Sequence, residues 1–371
     1  MRSRWDSLHR VQPDASSQPH ASRKRVVATF PPLGETSNPY QRLLYEALAE
    51  TGVRLAPSGK LRSKWLWENR REVGILHFHW LSGYYRHPRL AGQVVRLLLF
   101  AQRLLLARAL RYRVVWTVHE IDPHDRQCRA DSVAPRVAAR FAQVLIVNDE
   151  ATRGKVSRTL GREPVLIRHG SFAGVYAPAR RPASDVRAEL GVDDASVLIL
   201  CFGLVRRYKR IEDVVEALAL VPPDDRGLVV LVAGQVMDAE LGDALRVAAR
   251  DDPRIRLRLT FVPDDEVHEL FSASDAVLVT RTDDGTSGVL ALALSLGIPV
   301  VAADTPGYRE LTAGASRCWR FTPGDPAALA SVLVEAAAEL SRARSANPRP
   351  HEDPLPSWRE VAEQTAAALT G

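Results

Sequence analysis

The chain has 371 residues, 46% of them apolar and 25% charged, with a formal net charge of +6. At roughly 100–200 residues per domain this predicts two domains, and the proportions exclude a wholly disordered, collagenous or disulfide-framed chain. No run reaches about 18 apolar residues, so no membrane-spanning helix is expected, and the polar stretch Met1–Lys24 holds no apolar signal core.

Residues 1–24, rich in Ser, Pro, Gln, His and Arg, read as a disordered tail. Short β-branched runs follow: Val26–Phe30, Ile75–Phe78, Val114–Val118, Val144–Val147 and Val165–Ile167. Helical patterns such as Tyr40–Thr51 and Gln93–Leu110 lie between them. Strand and helix in alternation predict a parallel sheet covered on both faces. Residues 25–175 form this first domain. Pro178, Arg180, Arg181, Pro182 and Ser184 mark a connector. A second series, Val197–Phe202, Leu228–Ala233, Ile255–Phe261, Ala276–Val279 and Pro299–Ala302, with helices such as Ile211–Leu220, gives a second domain over residues 176–343. Residues 344–371 hold a polar stretch, Arg344–Pro356, and an amphipathic helix from Trp358 to Leu369 that is expected to pack back toward the first domain. The fold class is α/β: two doubly wound, Rossmann-like parallel-sheet domains facing across a cleft. Ligands of such sheets bind beyond the carboxyl ends of the strands, so the cleft is the expected site.

Charge divides with the domains. Residues 1–175 carry +15 and the remainder −9. A basic first half is compatible with an anionic membrane surface or a phosphorylated acceptor; nucleic acid is disfavoured because the basic residues are scattered and no recognition module accompanies them. Only five of the fifty basic residues are lysine. On Arg89–Arg111, the residues Arg89, Gln93, Arg96, Arg103 and Arg111 fall along one helical stripe, and Lys64-Trp65-Leu66-Trp67 sets aromatics beside a cation, a mixture that suits a headgroup interface. The same helix lies between two predicted strands, so its other reading is a cover for the sheet. Cys128, Cys201 and Cys318 are odd in number and far apart. They make neither a disulfide framework nor a zinc pattern, and they fit a reducing cytosol.

Three segments can carry chemistry. After the first strand of the second domain comes Phe202-Gly203-Leu204-Val205-Arg206-Arg207-Tyr208-Lys209. Its glycine permits a sharp turn, and cations ahead of a helix can neutralise a departing diphosphate; a solvated basic helix start is the plainer reading. Thr280-Arg281-Thr282-Asp283-Asp284-Gly285-Thr286-Ser287-Gly288 follows another strand and opens the helix Val289–Leu296. Free N–H groups there can meet an anion or sugar hydroxyls, or Thr286 or Ser287 can be an ordinary N-cap. Thr117-Val118-His119-Glu120 ends a first-domain strand. His119 can point into the cleft or be a hydrogen-bonded structural histidine. His77 and His79 end a second strand and His169 a third. None of these has metal-ligand spacing, and no metal is expected.

Together, His119-Glu120, Arg168-His169-Gly170, Gly203 with Arg206 and Lys209, and the segment Asp284 to Pro299 resemble the GT-B nucleotide-sugar glycosyltransferases, specifically glycosyltransferase family 4, over about residues 25–340 and the closing helix with Trp358. The resemblance implies a retaining, metal-independent sugar transfer with no cofactor, the nucleotide diphosphate sugar serving as co-substrate. It implies that the second domain binds this donor and the first a glycan or lipid-linked acceptor, as in polysaccharide or glycoconjugate biosynthesis. Arg206 and Lys209 would hold the donor diphosphate, and His119 would sit near the transferring sugar. Asp284 would bind sugar hydroxyls, and Gly203, Gly285, Thr286, Ser287 and Gly288 would approach sugar and phosphates. Asn38, Tyr40, His79, Glu120 and His169 would border the acceptor side. The expected location is cytoplasmic, with peripheral contact at the inner face of the cell membrane. Two departures stand out. Leu292 occupies the place of the second of two glutamates that the family sets eight positions apart, and Phe30-Pro31-Pro32-Leu33-Gly34 replaces a glycine-rich loop. They leave room for a catalytically silent GT-B partner that binds glycan, or for a sugar-nucleotide epimerase.

Overall fold

A computed structural model describes residues 23–33, 39–57, 59–121, 128–222, 227–282, 285–315, 317–343 and 352–371. Two six-stranded sheets organise them. The first holds β1 (Val26–Phe30), β2 (Arg54–Leu55), β3 (Ile75–Phe78), β4 (Arg113–Thr117), β5 (Val144–Val147) and β6 (Val165–Leu166) in the order β2-β1-β3-β4-β5-β6. The second holds β7 (Val197–Phe202), β8 (Leu228–Ala233), β9 (Ile255–Arg258), β10 (Ala276–Val279), β11 (Val300–Ala303) and β12 (Cys318–Phe321) in the order β12-β11-β10-β7-β8-β9. All these pairings are parallel. The order reverses between β1 and β3 in one sheet and between β7 and β10 in the other. These are the switch points where crossovers leave in opposite directions and open a crevice.

Helices α1 (Tyr40–Glu50), α2 (Ser63–Asn69), α3 (Ser82–Tyr85), α4 (Leu90–Ala109), α5 (Ala134–Phe141) and α6 (Glu150–Leu160) join the strands of the first lobe. In the second lobe come α7 (Ala183–Glu189), α8 (Glu212–Leu220), α9 (Ala239–Asp251), α10 (Asp264–Ala273), α11 (Gly288–Ser295), α12 (Pro306–Leu311) and α13 (Pro326–Ala343), and α14 (Trp358–Thr370) closes the chain. The side-chain alternation of strands sorts the first core. Ala28, Phe30, Leu76, Phe78, Val114 and Trp116 face one side, and Val27, Ile75, Val115 and Ile146 the other. That second face is covered by α1 and by α14, whose Val361, Ala362 and Leu369 pack with Leu44, Tyr45 and Leu48. A Ser357 and Glu360 capping box starts α14, and Trp358 Nε1 donates to the Ser171 carbonyl at 2.6 Å. The C-terminal helix therefore completes the core of the N-terminal lobe.

Several expectations are corrected. Arg23, counted with the tail, is held against the first lobe: its guanidinium donates to the carbonyls of Val73 and Leu110 at 2.9 and 3.0 Å. The strand expected to reach Phe261 stops at Arg258, and Phe261 is exposed. Most consequentially, α4 is long and apolar enough, by length and composition, to cross a membrane; its mean hydropathy reaches 1.5. It also packs through the sector that carries its stripe, Gln93 included, rather than through its apolar arc. Gln93, Phe100, Leu104 and Ala107 face the protein, and large apolar side chains face outward.

Candidate active site

The carboxyl ends of both sheets face one cleft, which encloses a cavity of about 560 Å³. Among the predicted residues, Tyr40, His119, Glu120, His169, Gly203, Arg206, Lys209, Thr286, Ser287 and Gly288 line it. His79 stands behind His119 rather than on the wall. Asn38 and Asp284 lie outside the described residues. Gly285 borders the cleft from the second lobe; a Cβ built on it would lie 3.6 Å from the His119 carbonyl oxygen.

The β7 end is built on glycine. Gly203 adopts φ +95°, and its amide donates to the Ala233 carbonyl at 2.9 Å. The chain then makes a 3-10 turn at Arg207–Lys209. This folds Lys209 back so that its Nζ donates to the Phe202 carbonyl at 2.9 Å. Burial pulls the Lys209 pKa down to about 8, and the neighbouring cations Arg281 and Arg206 push the same way. Lys209 is thus a partly dehydrated ammonium held at the cavity wall, the state from which a bound anion gains most. The three cations expected here divide. Arg206 and Lys209 line the cavity. Arg207 turns outward to ion pairs with Asp238 at 2.7 Å and Glu240 at 2.6 Å. Its place is taken by Arg281, which lines the cavity from the β10 end and lies 5.3 Å from the Tyr208 ring centroid.

The N-terminus of α11 faces the same space. Ser287 is its N-cap and accepts from the Leu290 amide at 3.3 Å, so its hydroxyl caps the helix while the first-turn amides stay oriented toward the cavity. A Cβ on Gly288 would meet nothing within 4 Å. Thr286 reaches across the cleft and donates to Asp149 Oδ2 at 3.2 Å. Leu292 is buried and forms part of an apolar wall with Leu278 and Val289.

On the opposite lobe His119 stacks on Trp80, with centroids 4.5 Å apart and planes 13° apart, and meets the Tyr40 ring edge-on at 4.9 Å. Behind it runs a buried chain. His79 Nδ1 lies 3.1 Å from His119 Nε2, and Tyr45 OH lies 3.0 Å from His79 Nε2 and 2.8 Å from His77 Nδ1. His77 Nε2 lies 2.8 Å from Thr117 Oγ1. Burial lowers His77 and His119 to about 3 and His169 to about 4, and takes His79 well below its ordinary value. All four are neutral imidazoles at pH 7. His169 Nδ1 is 2.7 Å from the Gly170 carbonyl, an acceptor only, so the proton sits on Nδ1 and Nε2 is left as an acceptor. Sequence reasoning missed Arg281, Tyr45, Asn148, Asp149 and Tyr176. Arg281 alone had a signal, its place in the second motif; the others are set by tertiary packing. Among the described residues no group of three or more His, Cys, Asp or Glu could hold a metal.

Two facing Rossmann-like lobes with a cation-lined cavity at the switch point, closed by a C-terminal helix returning to the first lobe, define the GT-B architecture. Residues 196–339 match the family described as glycosyl transferases group 1. The chain is 27% identical, over 72% of its length and 70% of the relative's, to a GDP-mannose:glycolipid 4-beta-D-mannosyltransferase of Xanthomonas campestris pv. campestris. It is 25% identical, over 45% of its length and 48% of the relative's, to a lipopolysaccharide core biosynthesis mannosyltransferase of Rhizobium meliloti. Among solved structures, Anabaena HepE in complex with UDP superposes with a TM-score of 0.66 at 17% identity, covering 93% of this chain and 99% of the other. WaaG, a glycosyltransferase involved in lipopolysaccharide biosynthesis, gives 0.58 at 16% identity, with 93% and 100% covered. The chain is a glycosyltransferase of the GT-B class, similar to bacterial enzymes of polysaccharide and glycolipid assembly.

Proposed function

We propose that the protein moves a sugar from a nucleoside diphosphate sugar to a lipid-linked or glycan acceptor without a metal ion. One observation carries this reading: Arg206, Lys209 and Arg281 and the first turn of α11 converge on one cavity at the β7/β10 switch point. Departure of a nucleoside diphosphate builds negative charge. Three cations and oriented amides stabilise that charge as a divalent ion does elsewhere. His119, neutral and stacked on Trp80, positions the sugar. Glu120 and His169 border the side from which an acceptor enters. The name of the Xanthomonas relative makes GDP-mannose the first donor to test and a glycolipid the first acceptor class; with such an acceptor, the proposed location is the inner face of the cell membrane.

The stereochemical course assigned is retention. The acceptor hydroxyl attacks on the face that the diphosphate leaves, its oxygen bonds the anomeric carbon as the carbon–phosphate-oxygen bond breaks, and a diphosphate oxygen receives the hydroxyl proton. A second reading is inversion. It is favoured by the 4-β linkage in the name of the Xanthomonas relative and by the Glu120 carboxylate at the cavity, which would act as base from the opposite face. The anomeric proton coupling of the product, set against that of the donor, decides between them. The reading as a whole is tested by turnover of Arg206→Ala combined with Lys209→Ala. Loss of about 10²–10³ in kcat/KM is expected, and near-normal turnover removes the diphosphate assignment. A nucleoside diphosphate at about 100 times its Kd adds ~2.7 kcal/mol to stability, so a thermal-shift panel identifies the base.

A further inference from the structure

A helix on the surface of a water-soluble lobe turns its apolar arc inward and its charges outward. α4 does the reverse. Leu98 and Leu105 are 64% and 60% exposed, and Leu90, Val94, Val95 and Leu99 are exposed with them. At about 100° per residue, these six side chains cover roughly half the helix circumference. Arg96 and Arg103 line one border of that arc and Arg108 the other, an arrangement in which arginines snorkel to a polar surface while leucines go below it. The opposite face is committed to the lobe through Phe100, Leu104 and Ala107, so the helix cannot cross a bilayer without leaving its own core. It can only lie in the plane.

Two neighbours extend the surface. Trp67 on α2 is 56% exposed, with the Arg70 guanidinium 4.0 Å from its ring centroid, as in the aromatic belt of a membrane interface. A shallow recess between α4 and α5 is lined by Leu105, Arg108, Arg140 and Phe141 and offers two cations to a phosphate at the edge of the apolar arc. The N-terminal part of α4 adjoins the cleft: Arg96 Nη1 donates to the Arg86 carbonyl at 2.7 Å, and Arg86 lines the cavity.

We infer that the outward face of α4, with Trp67 and the Arg108–Arg140 recess, docks the enzyme on an anionic lipid leaflet and brings the acceptor side of the cleft to the bilayer surface. The +15 charge of residues 1–175 selects anionic over zwitterionic lipid. The inference rests on the proposed lipid-linked acceptor for its purpose but is tested apart from it.

The full chain is floated with phosphatidylcholine vesicles, with and without phosphatidylglycerol, at low and high salt. The wild type is expected to float with the anionic vesicles and to weaken in salt. Leu98→Glu combined with Leu105→Glu is expected to lower partitioning about tenfold or more. Val247→Glu, on an exposed apolar site of α9, is the control and is expected to float as the wild type does. All three proteins are expected to show the same melting temperature and the same nucleoside diphosphate thermal shift, because none of these positions touches the cavity. No flotation of the wild type, or undiminished flotation of the double variant, overturns the inference. So does a wild-type dimer that the double variant turns into monomer without any vesicle binding, since the face would then join two copies. Vesicle binding with no nucleotide shift sinks the proposed function and leaves the docking surface standing. A nucleotide shift without vesicle binding does the opposite.

Discussion

His79 Nδ1 and His119 Nε2 lie 3.1 Å apart, and one proton must sit between them. Tyr45 OH has a single proton to share between His79 Nε2 and His77 Nδ1, so the chain from Thr117 to His119 has two consistent arrangements. If Tyr45 donates to His79, then His79 Nδ1 donates to His119 and the His119 proton is on Nδ1. If Tyr45 donates to His77, every bond reverses and His119 Nδ1 is bare. Tyr45 therefore governs whether His119 offers a donor or an acceptor at its far nitrogen. Tyr45→Phe keeps the ring and leaves two buried imidazole nitrogens without the hydroxyl, at a cost of ~1–3 kcal/mol in stability. We expect kcat to fall about tenfold with donor KM little changed, read by steady-state kinetics beside a thermal melt. Unaltered kcat in a destabilised protein would make Tyr45 a packing residue alone.

The buried histidines set the acid limit of the fold. His77 and His119 are lowered to about 3 and His169 to about 4 by burial; the unfolded value is about 6.5. Between these values the unfolded chain binds more protons than the folded one, so stability rises with pH across the window and is lost as pH falls below about 6.5. Each such group contributes up to ~1.4 kcal/mol per pH unit well inside the window. Denaturant midpoints measured from neutral to mildly acidic pH are expected to fall steeply, and less steeply in His77→Gln. Equal slopes for the two proteins would mean that His77 is protonated in the native state.

Lys209 gives the opposite edge. Its folded pKa of about 8, lowered mainly by burial, lies below the ordinary lysine value of about 10.4. From about pH 8 upward the free enzyme loses the ammonium, while a bound diphosphate favours it. Nucleoside diphosphate affinity is therefore expected to break downward near pH 8, toward tenfold per pH unit if only the charged form binds. In the same window the unfolded chain holds the extra proton, so protein stability rises there. Lys209→Met is expected to weaken binding about 10- to 100-fold and to flatten both profiles. Calorimetric titration across this pH range reads the first and denaturation the second. A break retained in Lys209→Met assigns it to another group.

Much of the architecture was legible because valine- and leucine-rich runs bounded by turn residues are local signals: Leu228–Ala233 and Val144–Val147 form strands where their residues place them. The cleft followed from the rule that parallel strands bind ligands at their carboxyl ends. The two-residue strand β2 carries too little sequence to be read, whereas the equally short β6 falls inside the expected run Val165–Ile167. The orientation of α4 was illegible for a different reason. Its sequence holds both an apolar arc and an arginine stripe, and the choice between them belongs to β4, α5 and the 3-10 turn at Arg129–Ser132 that pack on it. Arg207 turns away from the cavity because Asp238, 31 residues downstream, captures it, a pairing no local window contains.

Gly203 ties the turn to the chemistry, which makes its substitution the sharpest test of the donor site. Its φ of +95° is unfavourable for any residue with a Cβ, and a Cβ there would stand 2.8 Å from Lys209 Nζ. That ammonium is held in place by its bond to the Phe202 carbonyl, so it can yield only by leaving the wall. Gly203→Ala is expected to cost ~1–3 kcal/mol through backbone strain and to weaken nucleoside diphosphate binding as Lys209→Met does. Because both substitutions act through one ammonium, they are expected not to add: in the Lys209→Met background, Gly203→Ala should cost much less binding than in the wild type. A double-mutant cycle measured by titration calorimetry decides it. Full additivity would show that the glycine shapes the turn without placing the lysine.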